Sequence, residues 1–102
     1  MKSRRSISNV TPMSSWRIEF EDSANHDLGK LDSHVRAAVI EKLDWLKENF
    51  KETVHFALHG AWNGFWKLRV GRWRIVYTFS ESKKLITVWH IDNRDKIYKH
   101  KK

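Results

Sequence analysis

The sequence predicts an α+β fold, in which a short strand and two helices precede a three-stranded antiparallel meander. Two observations indicate this order. Apolar residues recur at helical spacing over residues 35–50, and apolar and polar residues alternate in three short stretches between residues 65 and 91. A chain of 102 residues is long enough for one domain with one core and too short for a second.

The elements before the long helix follow from local patterns. Residues 15–20 alternate apolar and charged side chains, which predicts a half-buried strand. A short helix over residues 21–30 is expected to begin at Asp22 or Ser23 as N-cap and to end at Gly29.

The long helix is predicted to run from an N-cap at Asp32 or Ser33 to about Phe50. One face is apolar and is expected to pack in the core: Val35, Val39, Leu43, Leu46 and Phe50. Trp45 falls at the boundary of this face, where it either covers the sheet edge or meets a partner.

The meander carries the features on which function depends. Its strands are predicted at Phe65–Val70, Trp73–Phe79 and Leu85–Ile91, joined by turns at Gly71–Arg72 and Ser80–Lys83. A two-residue hairpin needs a positive φ, which Gly71 supplies. Because successive side chains of a strand point to opposite faces, the apolar side is expected to face the core. Lys67, Arg69 and Arg74 are then expected on the solvent side.

The positive charge is concentrated in the meander and the residues after it. The chain has a formal net charge of +8. Residues 1–59 contain nine basic and nine acidic residues, whereas residues 60–102 contain eleven basic and three acidic residues. One-sided positive charge is typical of a protein that binds a polyanion, most commonly RNA or DNA.

Other features bound the class of protein. Residues 1–12 are expected to form a disordered basic N-terminal tail and residues 13–102 a single domain. The absence of cysteine excludes disulfides and thiol catalysis. No apolar run approaches a membrane span of about 18 residues, and no signal peptide is evident, so a cytoplasmic protein without a membrane partner is expected. His55 and His59 lie four apart, which alone is weak support for a metal site.

Three cations on one face of the sheet suit a phosphate of RNA. Such a site can cleave RNA without a metal or cofactor, because the ribose 2′-hydroxyl supplies the nucleophile and the cations stabilise the phosphorane. Lys67 is a candidate proton acceptor and Tyr98 could stack on a base. The spacing does not separate this hypothesis from a phosphate-binding patch without chemistry. Arg94 and Tyr98 either return to the cationic face or belong to a frayed end, and His90 is either a proton carrier or an ordinary strand residue.

The hairpin G-x-W-K-L-R-V-G-R-W-R-I-V-Y and the later N-R-D-K-I-Y resemble the RelE/ParE superfamily of toxins. The resemblance covers about residues 15–99, and its core motif lies in residues 64–98. It implies two helices packed on one face of a mostly antiparallel sheet. RelE-type members are ribosome-dependent endoribonucleases that cut mRNA in the A site, against ribosomal RNA, and are neutralised by a cognate antitoxin. ParE-type members poison DNA gyrase instead.

The resemblance also implies which residues act. The expected catalytic residues are Lys67, Arg69, Arg74, Arg94 and Tyr98. The expected RNA-binding residues are Lys67, Arg69, Arg72, Arg74, Lys96 and Lys99. Arg69 stands where some members have lysine, and arginine stays protonated, so a base role there is disfavoured. A toxin-like fold kept as a binding module without toxicity is the third alternative.

Overall fold

The computed structural model describes residues 16–93, which form two helices and one five-stranded sheet. The elements are β1 (Arg17–Phe20), α1 (Asp22–Lys30), α2 (Ser33–Glu48), β2 (Phe56–Ala57), β3 (Trp66–Val70), β4 (Trp73–Ser80) and β5 (Leu85–Asn93). The strand order is β1-β5-β4-β3-β2. Only the β1–β5 pair is parallel among these neighbours. The predicted α+β fold and its meander are confirmed, and the predicted tail at residues 1–12 lies outside the described residues.

Both helices pack on one face of the sheet, and the core lies between them. The predicted apolar face of α2 enters this core through its buried residues Val39, Leu43 and Leu46. From the sheet, alternate residues of β4 and β5 meet them: Ile75, Tyr77, Ile86, Val88 and Ile91. Alternation in the strands and helical spacing in α2 therefore bring two apolar surfaces together. No helix among residues 16–93 is long and apolar enough to cross a membrane.

The N-cap of α2 agrees with the sequence prediction, whereas that of α1 differs from it. Asp32 caps α2 as predicted, and its carboxylate accepts a hydrogen bond from the backbone N–H of Val35. The expected cap of α1 at Asp22 or Ser23 is wrong, because the N-cap is Glu21 and its side chain makes no capping bond. Gly29 lies inside α1, which continues to Lys30.

Two features of the sheet were not predicted. β2 is a two-residue edge strand, where Phe56 is paired with Lys67. β5 continues beyond Ile91 to Asn93 and contains a β-bulge, since Val76 is opposite His90 whereas Tyr77 is opposite Val88. Trp89 is the extra residue of this bulge. Bulges re-aim side chains and increase the local twist, and this one changes what β5 presents on each face.

The side of the sheet turned away from the helices is called the distal face. It carries Lys67, Arg69, Arg74, Val76 and His90, the neighbours in register on β3, β4 and β5. Directly opposite residues on paired strands share a face, so this assignment follows from the register.

Candidate nucleic-acid interface

The distal face brings the predicted cations of the meander together. Arg69 is directly opposite Arg74, and Arg74 is directly opposite Asp92. Lys67 lies two residues from Arg69 along β3, on the same face. Directly opposite residues have Cβ atoms roughly 5 Å apart. Three cationic side chains therefore lie on neighbouring positions of one surface, as the alternation predicted.

Arg74 differs from the expectation in one respect: it is buried, with 4% of its surface exposed. The sequence placed it on the correct face but predicted a solvent-exposed side chain. Its neighbours explain part of the difference, since β4 is an interior strand between β3 and β5. Arg69 is exposed and Lys67 half-buried. Lys67 and Arg69 on β3 are thus at least partly accessible, while Arg74 on the neighbouring strand β4 is held within the fold.

The centre of the distal face is covered by the chain between β2 and β3. Leu58 and Val76 are buried there, with Trp62 and Phe65 packed against them. Trp62 lies in the 3₁₀ turn Gly60–Trp62, and the Leu58 N–H donates to the carbonyl of Phe65, which holds the two ends of the segment together. We call residues 58–65 the covering segment. With Val76 of β4, the covering segment forms a second, smaller apolar cluster on the distal face, which was expected to be the solvent side of the sheet.

The hairpin turn and the end of β5 lie at the same end of the sheet as Arg69 and Arg74. Arg72 is exposed in the turn, after Gly71 with its φ of +62°. Asn93, the last described residue, is opposite Trp73 at the start of β4. Four further predicted site residues lie outside the described residues: Arg94, Lys96, Tyr98 and Lys99.

His55 contributes to the core instead of a metal site. Its Nε2 lies 3.0 Å from the carbonyl oxygen of Phe50, which only accepts, so Nε2 carries the hydrogen. Nδ1 lies 2.6 Å from the hydroxyl of Tyr77. Burial raises the pKa of the Tyr77 hydroxyl. Among residues 16–93 no three His, Asp or Glu side chains are grouped to hold a metal ion.

α1 supplies site residues that the sequence did not reveal. β1 ends at Phe20, so the edge of β5 beyond Val88 is completed by α1. The Ser23 hydroxyl donates to the carbonyl of Trp89 at 2.6 Å, and the Ile91 N–H donates to the carboxylate of Asp27 at 3.0 Å. The available signal was the spacing of Ser23 and Asp27, which are four apart on one helix face.

Asp27 also faces His90, whose Nδ1 lies 3.7 Å from the Asp27 Oδ2. The two side chains are 26% and 40% exposed. They belong to a cavity of about 570 Å³, which we call the α1–β5 cavity. Its lining residues come from α1, the covering segment and β5: Asp22, Ser23, His26, Asp27, Trp62, His90 and Asp92. His90 is thus not isolated on its strand, because α1 supplies it with an acidic neighbour.

The comparison with protein families gives one match over most of the chain. The model described as the ParE toxin of type II toxin–antitoxin systems, parDE, matches residues 18–98. None of the curated proteins matches the chain.

Solved structures of toxins share the fold. In the RelBE2 toxin–antitoxin complex of Mycobacterium tuberculosis, the similarity extends over 78% of this chain and 98% of the other, with 25% identity and a TM-score of 0.68. For the isolated RelE toxin of E. coli the coverage is 84% and 94%, the identity 20% and the TM-score 0.66. For YafQ of E. coli it is 81% and 98%, with 16% identity and a TM-score of 0.57. The last two likenesses show a common fold alone.

Proposed function

This chain belongs to the ParE toxin family of type II toxin–antitoxin systems, and we propose that it acts as an endoribonuclease that cuts mRNA on the ribosome. The observation that carries the proposal is the direct pairing of Arg69 with Arg74 on the distal face, with Lys67 beside them. Cations grouped on neighbouring strands suit a phosphate whose negative charge increases during reaction.

The chemistry needs no nucleophile from the protein. The 2′-oxygen of the RNA attacks the adjacent phosphorus, the bond from phosphorus to the 5′-oxygen breaks, and a cyclic phosphate and a 5′-hydroxyl result. The cations stabilise the extra charge of the intermediate and hold the strand for in-line attack. Arginine stays protonated, so of Lys67, Arg69 and Arg74 we assign Lys67, as its free amine, to accept the proton of the 2′-hydroxyl. The ammonium formed in this way then supplies the proton that the leaving 5′-oxygen takes up. Arg94 and Tyr98 complete the proposed site as a second phosphate ligand and a base-stacking residue.

The proposed partners follow from the same site. The substrate is mRNA in the ribosomal A site, bound against ribosomal RNA, and Arg72, Lys96 and Lys99 are proposed as further phosphate contacts. The structures of the M. tuberculosis RelBE2 and E. coli RelBE complexes contain a toxin with its antitoxin. By analogy we propose that a cognate antitoxin covers the distal face of this chain and neutralises its charge.

The test is cleavage by the purified protein on programmed ribosomes. Primer extension is expected to show new mRNA breaks within the A-site codon for the native chain and none for Arg69→Gln combined with Lys67→Gln. Glu41→Gln on the exposed side of α2 is the matched control and should cleave normally. Intact mRNA after incubation of programmed ribosomes with the native protein would refute the ribonuclease function.

Inhibition of DNA gyrase is the second candidate, and the match to the ParE family model favours it. The resemblance to the superfamily implies that ParE-type members bind and poison gyrase. A supercoiling assay with purified gyrase separates the two candidates, because only the gyrase function predicts inhibition in the absence of ribosomes. Inhibition that persists in the Arg69→Gln, Lys67→Gln double variant would assign the activity to another surface.

A further inference from the structure

We propose that the α1–β5 cavity is a binding subsite for one nucleobase of the RNA, selective for guanine over uracil. The proposal rests on the proposed function, since it places the base next to the cations assigned to the phosphate. Its independent basis is the cavity itself, which is walled by aromatic rings, lined by hydrogen-bond acceptors and adjacent to Arg74 through Asp92.

The walls suit a flat aromatic ligand. Trp62 and His90 meet at an angle of 85° with ring centroids 5.3 Å apart, so neither ring stacks face to face on the other. The cavity volume of about 570 Å³ lies within the usual range for small-molecule sites. Every base has a flat face that can stack on an aromatic side chain. The aromatic corner therefore provides affinity for a base without selecting among bases.

The polar lining provides the selectivity. Three carboxylates face the cavity, from Asp22, Asp27 and Asp92. Asp27 uses Oδ2 for the Ile91 N–H, and Asp92 uses Oδ1 for the Asn93 N–H. Asp22 is exposed, and its side chain makes no hydrogen bond or ion pair with any residue of 16–93. Its carboxylate is thus available to accept hydrogen bonds from a ligand.

A carboxylate with two available oxygens matches a ligand edge that carries two adjacent N–H donors. Guanine presents such an edge through its N1–H and its exocyclic amino group. Adenine and cytosine present one amino group beside an acceptor, and the single N–H of uracil is flanked by two carbonyl oxygens. Those oxygens would face the carboxylates unfavourably. The expected order of affinity is guanine first, adenine and cytosine next, and uracil last.

The distribution of charge around the cavity also determines how a bound nucleotide of the RNA is oriented. Asp92 lines the cavity and stands directly opposite Arg74, whose other neighbour in register is Arg69. The acidic cavity repels a phosphate, whereas the arginine row attracts one. A nucleotide is therefore expected to place its base toward α1 and its phosphate over the arginines.

The test measures the binding of nucleoside 5′-monophosphates to the full chain. Binding is monitored by nuclear magnetic resonance, as the shift of the tryptophan indole N–H signals during titration. GMP is expected to bind about tenfold more tightly than UMP, the discrimination of one bidentate contact. Asp22→Asn should bring GMP and UMP to similar affinities. Trp62→Phe should preserve the order, and Trp62→Ala should weaken all four nucleotides. The controls are Asp44→Asn and Trp45→Ala on α2, outside the cavity, which should change nothing.

Equal affinities for GMP and UMP, or a GMP preference that survives in Asp22→Asn, would overturn the subsite. So would tighter binding of N-acetylarginine amide than of GMP, because the cavity would then suit an arginine of a protein partner. The subsite and the nuclease fail separately. Nucleotide discrimination without mRNA breaks would uphold the cavity and refute the proposed function. Breaks without discrimination would do the reverse.

Discussion

The two faces of the sheet are built from similar strands but covered in different ways. On the helix side, α1 and α2 cover a continuous apolar surface in which Ile75, Tyr77, Ile86 and Val88 have no measurable exposure. On the distal face, the covering segment is the part of residues 16–93 that packs on the sheet, where it buries Leu58 and Val76. Cations and a cavity flank that segment. The difference indicates that stability depends mainly on the helix side, whereas the distal face is the one to which we assign the proposed ligand binding.

Arg74 is the exception that refines this comparison. It belongs to the distal face by register, yet it is almost as buried as the core. Arg74 is thus expected to affect both stability and the proposed cleavage, because its side chain is buried in the fold and its position is directly opposite Arg69. We therefore expect substitutions of Arg74 to alter stability and activity together, whereas neighbouring substitutions should separate them.

The largest expected effect is on cleavage by Arg74 variants. Loss of one charge that stabilises the transition state typically reduces the rate about 100- to 1,000-fold. Arg74→Ala and Arg74→Met should both show this loss. Arg74→Ala should also lower the free energy of unfolding by on the order of 2 kcal/mol, and Arg74→Met by less, since methionine refills the space of the stem. Urea denaturation and primer extension measure the two quantities. Unchanged stability in Arg74→Ala would contradict its buried position.

The next largest effect is expected from a substitution that creates a cavity in the core on the helix side. Leu43→Ala removes a side chain that is 2% exposed and should lower the free energy of unfolding by about 3 kcal/mol. Cleavage per folded molecule should stay close to that of the native chain, since Leu43 lies across the sheet from the arginines. Leu43→Met is the control of similar volume and should cost less than about 1.5 kcal/mol. A loss of specific activity in folded Leu43→Ala would show that the two faces are coupled.

A third effect concerns pH and tests the Tyr77 hydroxyl. Burial raises the pKa of Tyr77 above its ordinary value near 10. Above that value the unfolded chain releases the proton and the folded chain retains it, so the unfolding free energy should fall as pH rises, by at most about 1.4 kcal/mol per unit. Tyr77→Phe should show a weaker fall over the same alkaline range, as measured by urea denaturation. Identical slopes for the two proteins would mean that the hydroxyl ionises normally in the folded state.

The smallest expected effect on stability is at the accessible cations. Lys67→Gln and Arg69→Gln should change the free energy of unfolding by no more than about 0.5 kcal/mol, because Arg69 is exposed and Lys67 only half-buried. Each should nevertheless weaken RNA binding. The number of counterions released on binding, which sets the salt dependence of the affinity, should fall by roughly one. Fluorescence anisotropy with a single-stranded RNA at several salt concentrations measures that slope. A slope equal to that of the native chain would remove the residue from the interface.

Much of the fold could be predicted because it is encoded in local periodicity. The alternation of β3 and β4, the Gly71 turn and the apolar face of α2 each specify their element within a few residues. β2 was missed, since a two-residue edge strand leaves no period to detect. The bulge at Trp89 was missed because one extra residue depends on pairing with β4, which the sequence of β5 does not express.

The candidate site was predictable only in part. Strand alternation identified the face of Lys67, Arg69 and Arg74, but exposure depends on the neighbours of each strand, and the burial of Arg74 could not be read from its own segment. The α1–β5 cavity joins residues more than sixty positions apart, such as Asp27 and His90. No periodicity connects them, so only the three-dimensional structure brings them together.

The covering segment has a consequence for the shape of any polynucleotide bound here. Trp62 and Phe65 pack on Leu58 and Val76 in the middle of the distal face, so the covering segment forms a ridge there. A stiff double helix laid across it would rest on the ridge and leave the arginine row below it. A single strand can curve over the ridge, so under the proposed function this surface is expected to favour unpaired RNA over a duplex.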